Sequence, residues 1–377
     1  MLVSAVKLIN FRRFSRLEVN EFHPQLNVIV GKNAQGKTSI LESLSLVTQL
    51  ESFRSSDVSE LIKYGEIQAS CTVDLNAPTK SRVLIGLENK KKSIRIDETK
   101  ISSKSKYSLL GTSVTFVPDD LYLIKGGPEA RRKFFVQLAI NLDPSSVQIY
   151  QQYEKNLKQR NRILKGMKEG DHLGDQLEIW TDQFIGAAVQ VYEQRFKILE
   201  RLREVLPSIY QKLFDVSESI EILHDHGFDE NLPDRDSIAR RMSRLRGAET
   251  AIGYSLVGPH RDDFKFNLNS LNARQFASQG QTRSLVIALK ISQLELTRED
   301  AYSSPLLLLD DIVSELDETR TLALVSYLAD YDGQLFVTTA ESSKLKTLHS
   351  QFASFKLIDL TEDSKIVRRL DVRELSV

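Results

Sequence analysis

The stretch Leu26-Asn27-Val28-Ile29-Val30-Gly31-Lys32-Asn33-Ala34-Gln35-Gly36-Lys37-Thr38-Ser39-Ile40 limits the possible folds of this chain more than any other. It reads as a buried strand, a glycine-rich turn and the start of a helix. The turn fits G-x-x-x-x-G-K-[ST], with Gly31, Gly36, Lys37 and Thr38 in the fixed positions. Glycines let the backbone bend so that successive N–H groups converge on an anion. The helix starting near Lys37 adds the positive end of its dipole. Lys37 suits the β- and γ-phosphates of a nucleotide, and the Thr38 hydroxyl suits Mg²⁺. A motif this short also matches by chance. Here Leu26, Val28, Ile29 and Val30 supply the strand, and Ile40, Leu41, Leu44 and Leu46 supply the helix. The expected phosphate cradle is therefore Gly31, Lys32, Asn33, Ala34, Gln35, Gly36, Lys37 and Thr38.

A second stretch carries the complementary chemistry. Pro305 precedes Leu306-Leu307-Leu308-Leu309, an apolar strand ending in Asp310-Asp311. A P-loop ATPase needs a carboxylate for the Mg²⁺ shell, the role expected for Asp310. It also needs a proton acceptor for the attacking water, the role expected for Asp311 beside Lys37. Ser314-Glu315-Leu316-Asp317 follows as a polar turn. A third stretch, Ala277-Ser278-Gln279-Gly280-Gln281, leads into a helix over 282–296. Small and polar residues at a helix start offer N–H groups and a hydroxyl to an anion.

Composition bounds the partners. The 377 residues are 41% hydrophobic and 27% charged, enough for packed cores, and the length allows two or three domains. Lys+Arg and Asp+Glu are equal at 51, so a nucleic-acid partner must meet a local basic patch. The candidate patches are Lys90 to Lys92, Arg131 to Lys133, and Arg240, Arg241, Arg244 and Arg246. Lys100, Lys104 and Lys106 extend the first, although a charge run is usually a solvated face. Cys71 is the one cysteine, which excludes an internal disulfide and a cysteine-based zinc site. No run reaches the ~18 apolar residues of a membrane span. Lys7, Arg12 and Arg13 interrupt the apolar residues at the start as no signal peptide would, and a cytoplasmic location is expected.

The rest of the chain alternates in character. Residues 2–19 read as a strand pair with Asn10-Phe11-Arg12-Arg13-Phe14 in its turn. Two arginines beside two aromatics suit an adenine or phosphates, but residue types favour a solvated turn with buried phenylalanines. Residues 52–64 are polar and read as irregular. Strands are predicted over 68–75, 82–88, 93–96 and 114–117, with Asn89 to Lys92 as a hairpin connection. From Pro128 to about Arg246 the spacing is helical: Val147, Tyr150, Tyr153 and Leu157, then Trp180, Phe184, Ala188, Val191, Leu199 and Leu202. The break at 166–174 predicts two long antiparallel helices, each ~40–50 Å long at 1.5 Å per residue, followed by a looser region over 224–236. Strands over 264–268 and 271–276 are predicted to pair across Asn269-Ser270. A helix over 318–329, a strand over 334–338 and one more helix and strand complete the pattern.

Together these stretches resemble the ABC ATPase superfamily, with Ser278, Gly280 and Gln281 in its signature turn. A helical insertion between the two halves of one head resembles the SMC-like arrangement, and within it the RecF family. The residues that carry the likeness are Asn10-Phe11-Arg12, Gly31 to Thr38, Phe116-Val117-Pro118, Gly258-Pro259-His260-Arg261-Asp262-Asp263, Ser278 to Gln281, and Leu307 to Asp317. The fold class implied is α/β: an ABC/SMC-type P-loop ATPase head, residues 1–117 and 247–377, with an inserted helical lobe, 118–246. Several residues depart from the wider ABC pattern. Asp311 stands where glutamate is usual and Gln279 where glycine is common. Thr338 and Thr339 replace a switch histidine, and the loop near Pro118 lacks the usual glutamine. These departures imply slow hydrolysis. His260 has two readings, a phosphate or proton contact and a satisfied structural histidine.

The resemblance implies a cytoplasmic, weakly ATP-hydrolysing protein of DNA replication, DNA damage repair and the SOS response, with ATP and Mg²⁺ as cofactors. It implies an ATP-dependent homodimer that clamps double-stranded DNA at gap junctions. It also implies RecR and RecO as partners in loading a recombinase. In such a dimer Ser278 meets ATP held by the other protomer's P-loop. The alternative is another SMC-like ATPase of DNA metabolism. A metabolic P-loop enzyme would need further clustered carboxylates, and a transporter ATPase would space the two motifs much more closely.

Overall fold

The computed structural model describes residues 2–360 apart from 56, 77–79, 89–90, 102–110, 215–216, 230–231, 301–303, 313–315, 341–347 and 349. Part of the Asn89–Lys92 connection, Lys104, Lys106, Ser314, Glu315 and the expected helix after 340 lie outside the described residues. The chain divides into two compact units. One comprises Met1–Asp120, Lys212–Asp215 and Arg283–Val377, the other Leu121–Gln211 and Val216–Thr282.

The first unit holds two sheets. Strands β1 (Val3–Phe11), β2 (Phe14–Asn20), β4 (Gln68–Leu75), β5 (Ser81–Glu88), β6 (Lys91–Ile96) and β7 (Thr99–Lys100) form an antiparallel sheet in the order β2-β1-β4-β5-β6-β7. Burial alternates along β4, where Ala69, Cys71, Val73 and Leu75 point inward, as one covered face requires. Strands β3 (Leu26–Val30), β8 (Ser113–Phe116), β12 (Leu306–Asp310), β13 (Leu335–Thr339) and β14 (Lys356–Asp359) form the second sheet. Its order is β14-β3-β13-β12-β8, and every pairing is parallel. Strands covered on both faces read as continuous apolar runs. That is why Leu306 to Leu309 and Val28 to Val30 show no alternation, and all of them are buried. Helix α1 (Lys37–Gln49) packs Ile40, Leu41 and Leu44 into the core that holds Cys71. Burial pushes the Cys71 thiol up to about 12.

The second unit is mainly helical: α2 (Pro128–Leu142), α3 (Ser146–Lys168), α4 (Gly174–Phe214) and α5 (Arg235–Ile252). The break between α3 and α4 falls where glycine spacing places it. The two helices are unequal, 23 and 41 residues, where similar lengths were expected. Two further expectations need correction. The looser region contains a strand, β9 (Ile220–Asp225), paired antiparallel along its whole length with β10 (Asp263–Leu268). A strand whose partner lies far along the chain leaves little local signal. The strand predicted over 271–276 is only β11 (Leu271–Asn272), because the Asn272 side chain accepts from the Arg274 N–H and starts a helical turn over Ala273–Phe276. The pairing across Asn269-Ser270 is present, with both residues at positive φ.

The second unit takes in residues up to Thr282, beyond the expected lobe boundary at 246. The physical reason is that Asp262, Asp263 and β10 make their pairings with β9, α2 and α4. Helices α6 (Gln279–Asp300) and α7 (Glu318–Ala329) complete the described chain.

Candidate functional site

Parallel pairing sets the site. The order β3-β13-β12 places Val30, Thr338-Thr339 and Asp310 at the carboxyl ends of three adjacent strands, with Asp310 opposite Thr338 and Thr339 opposite Val30. Open α/β sheets bind ligands at such ends. The turn after β3 then passes into α1, whose cap residue Gly36 has φ 98°. A Cβ at Gly36 would lie 2.5 Å from the Phe14 ring, so both backbone conformation and space require glycine. Phe11 and Phe14 are buried, as residue types in that turn suggest.

Around the loop, Lys37 Nζ donates to the Gly31 carbonyl at 2.7 Å and the Lys32 carbonyl at 3.3 Å. Gln35 Oε1 accepts from the Lys32 N–H at 2.5 Å, which ties the crown of the loop. Thr38 Oγ1 donates to Asp310 Oδ1 at 3.0 Å, so the two expected Mg²⁺ residues are in contact. A hydroxyl and one carboxylate oxygen are the hard donors Mg²⁺ takes when water and phosphate complete its shell. Among the described residues no cluster of three or more His, Cys, Asp or Glu side chains is placed to hold a metal. Burial raises Asp310 above the usual carboxylate range and the charge of Asp311 adds to this, against the pull of the Thr338 and Thr38 hydroxyls.

Thr338 completes this junction. Its hydroxyl donates to Asp310 Oδ1 at 2.8 Å and accepts from the Asp311 N–H at 2.9 Å. Asp311 itself sits at φ 54°, a left-handed conformation uncommon for a residue with a side chain. In the sequence Thr338 is legible only as the replacement of an expected histidine. Its double bond to the acidic pair depends on the register of β13 beside β12.

The site opens into a cleft of about 1350 Å³ lined by the P-loop, Asp310 and Asp311, with Arg13, Arg54 and Tyr64 among its walls. Tyr64 is fully exposed and Ile67 is 75% exposed. Two bulky apolar side chains at the end of a polar stretch were the available signal for this wall. Arg12 behaves differently from Arg13. Its guanidinium makes two bonds, of 2.8 and 2.6 Å, to the buried carboxylate of Glu42 on α1, which also accepts from Ser52. That pair fastens the first hairpin to the P-loop helix.

The signature turn is a reciprocal helix cap. The Ser278 N–H donates to Gln281 Oε1 at 2.8 Å and the Gln281 N–H donates to Ser278 Oγ at 3.2 Å. By position this leaves the N–H groups of Gln279 and Gly280 at the helix start without intrahelical acceptors. Gln281 Nε2 donates to Glu218 at 2.6 Å, so its side chain braces the turn. Ser278 is exposed.

The Gly258-to-Asp263 stretch builds the interior of the second unit. Asp262 accepts from Arg195 at 2.7 Å, pairs with His224 at 2.8 Å and accepts from Tyr192 at 3.2 Å. Burial alone would raise Asp262, but the His224 hydrogen bond and the Arg195 charge outweigh it and hold the carboxyl below its ordinary range. Asp263 takes two bonds from Arg131, at 2.6 and 3.0 Å. Arg131 is buried in that pair, which removes it from the expected DNA-facing patch, and the half-buried Arg132 donates to the Asp262 carbonyl at 2.7 Å. His260 packs on the Tyr153 hydroxyl at 2.7 Å, and burial lowers it to about 4. Of its two readings, the structural histidine fits.

Comparison with known proteins agrees with this geometry. Residues 2–359 match the family model described as the RecF/RecN/SMC N terminal domain. A protein of Acetivibrio thermocellus named DNA replication and repair protein RecF is 34% identical over 352 residues, 90% of this chain and 94% of that one. A solved structure described as the recombination mediator protein RecF-ATP in the RecFOR pathway is 28% identical, with a TM-score of 0.87 over 100% of this chain and 98% of that one. An Smc head domain from Pyrococcus furiosus, 15% identical with a TM-score of 0.57, shares the fold.

Proposed function

This chain belongs to the RecF family of SMC-like ATPases, and on that premise we propose that it serves DNA replication and repair as a DNA-binding protein switched by ATP. The observation that carries the reading is the junction of Thr38, Asp310 and Thr338 at the mouth of the P-loop. The loop N–H groups and Lys37 bind the β- and γ-phosphates. Thr38 and Asp310 would hold Mg²⁺, which when bound would neutralise charge on the phosphates. Asp311 takes a proton from the attacking water, and Thr338 fixes both acidic residues in place. Asp311 is a shorter acid than the glutamate usual in ABC ATPases, which suits a slow hydrolytic release step.

ATP acts in this reading as a clamp between two copies of the chain. Gln279 and Gly280 N–H groups, with Ser278, meet the γ-phosphate held by the partner protomer, so nucleotide binding appears as dimer stability. The dimer holds duplex DNA near gaps and works with RecR and RecO to load a recombinase. The names of the relatives support the pathway, and the P-loop junction supports the switch. No helix among the described residues is long and apolar enough to cross a membrane.

Sedimentation of the full chain with and without ATP, and with duplex DNA, tests the clamp. The unaltered protein is expected to dimerise with ATP and to bind duplex only in that state. Lys37→Met removes a charge-assisted phosphate contact and is expected to weaken ATP binding on the order of a hundredfold. Ser278→Arg is expected to bind ATP and remain monomeric. Normal ATP-driven dimerisation of Ser278→Arg would sink the composite site.

A further inference from the structure

The arginines of α5 are conspicuous in sequence, yet three of them are engaged by side chains of the second unit. Arg235 pairs with Asp182, Arg246 with Glu178 at 3.3 Å, and Arg241 lies over the Phe228 ring at 4.9 Å. Helix α3 shows the opposite arrangement. Lys155, Lys158, Arg162 and Lys165 are all exposed. Among the described residues no ion pair or hydrogen bond takes up any of the four side chains.

Their spacing of three, four and three residues places them along one stripe of the helix. Tyr150, Tyr153, Asn156, Arg160 and Leu164 occupy the buried face. Each cation in the stripe thus has a like charge as its i+3 or i+4 neighbour, an arrangement that costs roughly 0.2–0.5 kcal/mol per pair. A surface helix that merely needs solubility interleaves acids with bases. Here the acids at helical spacing stand at the two ends, Glu154 four residues before Lys158 and Glu169 four residues after Lys165, and no acid falls between Lys155 and Lys165. The helix dipole accounts for cations in the last turn only, and the stripe starts three turns earlier.

We propose that this stripe on α3 is a duplex-DNA contact, with Lys155, Lys158, Arg162 and Lys165 neutralising consecutive phosphates. The inference rests on the DNA-binding reading above and locates it. The stripe is ~15 Å long at 1.5 Å per residue. A DNA strand carries a phosphate every ~3.4 Å of helix axis, so four cations meet about four phosphates. The choice of duplex follows from what the stripe lacks. Single-strand grooves present aromatic side chains for bases to stack on, whereas Tyr150 and Tyr153 of α3 are both buried.

The test uses the full chain with ATP and a fluorescent blunt duplex across a range of salt. Replacing all four residues (Lys155→Gln, Lys158→Gln, Arg162→Gln, Lys165→Gln) is expected to weaken duplex binding by roughly a hundredfold or more. It should flatten the slope of log affinity against log salt by roughly three to four. ATP binding and Trp180 fluorescence are expected to match the unaltered protein. In that unaltered protein, saturating duplex should shield Lys155, Lys158 and Lys165 from acetylation, read by mass spectrometry. If the unaltered protein binds duplex and the fourfold variant binds it with the same affinity and slope, the stripe is not the contact. Loss of single-strand binding with duplex binding intact would overturn the assigned ligand. Failure of the unaltered protein to bind duplex would sink the DNA-binding reading itself, and this inference with it.

Discussion

Asp310-Asp311 ends β12 at the edge of an open cleft, and Asp262-Asp263 leads into β10 in the interior of the second unit. The dipeptides are the same and their surroundings are opposite. Asp262 is met by Arg195 and His224, Asp263 by Arg131. Asp310 is met by two neutral hydroxyls and a neighbouring acid. The first pair is neutralised within the fold and held below the ordinary carboxylate range at Asp262. In the second, Asp310 is held by the Thr38 and Thr338 hydroxyls, and burial raises it. A carboxylate pair already matched by cations serves stability. One held by hydroxyls and raised by burial is poised for a cation and a proton.

The largest expected difference between the two acidic pairs is chemical. Asp311→Asn keeps the shape and loses the basicity, so single-turnover ATP hydrolysis is expected to fall about 10²–10⁴-fold. ATP affinity should stay within a few-fold. An unchanged rate would remove Asp311 as the base, and with it the catalytic half of the contrast.

Asp262→Ala attacks the other half. It leaves Arg195 buried without its carboxylate, which costs about 3–5 kcal/mol. Trp180 is the one tryptophan and packs against Ile163, Leu164 and Leu177, so its fluorescence during urea unfolding reports on the second unit. A loss below about 1 kcal/mol would mean that the network stabilises far less than a buried ion pair.

His260 offers a smaller, pH-dependent effect. Burial lowers it from its ordinary value to about 4, so between about 6.5 and 4 the unfolded chain binds the proton that the folded chain refuses. Stability from this group is therefore full above about 6.5 and is lost as pH falls toward 4, with roughly 2 kcal/mol gone at pH 5. His260→Gln should shrink the difference between urea midpoints at pH 7.5 and 5 by that amount. An undiminished difference would place the titration elsewhere.

Asp310→Asn is expected to give the smallest of these effects. The folded state disfavours the charged form of Asp310, so removing the charge is expected to move unfolding to slightly higher denaturant. The shift should be well below the loss in Asp262→Ala and opposite in sign. Mg²⁺-dependent ATP binding should fall in the same variant. Destabilisation of Asp310→Asn comparable to Asp262→Ala would mean that both pairs do the same structural work.

What the sequence determined alone is what neighbouring residues along the chain decide together. The strand before Gly31, the turn at Gly36 and the helix after Lys37 are local, and so is the apolar run that delivers Asp310 to a strand end. The capping box of Ser278 and Gln281 is local as well. Tertiary structure decided everything that depends on a partner far along the chain. Strand β9 needed β10, and Thr338 became part of the site only when β13 took its register beside β12. It also decided which cations are available. Arg131 looks exposed in a Pro-Glu-Ala-Arg-Arg-Lys sequence and is buried against Asp263, while Lys155, Lys158 and Lys165 of α3 look ordinary and, among the described residues, form no ion pair. A charge is committed or available according to what lies within about 4 Å of it. That distance is set by the folded chain, and composition carries no record of it.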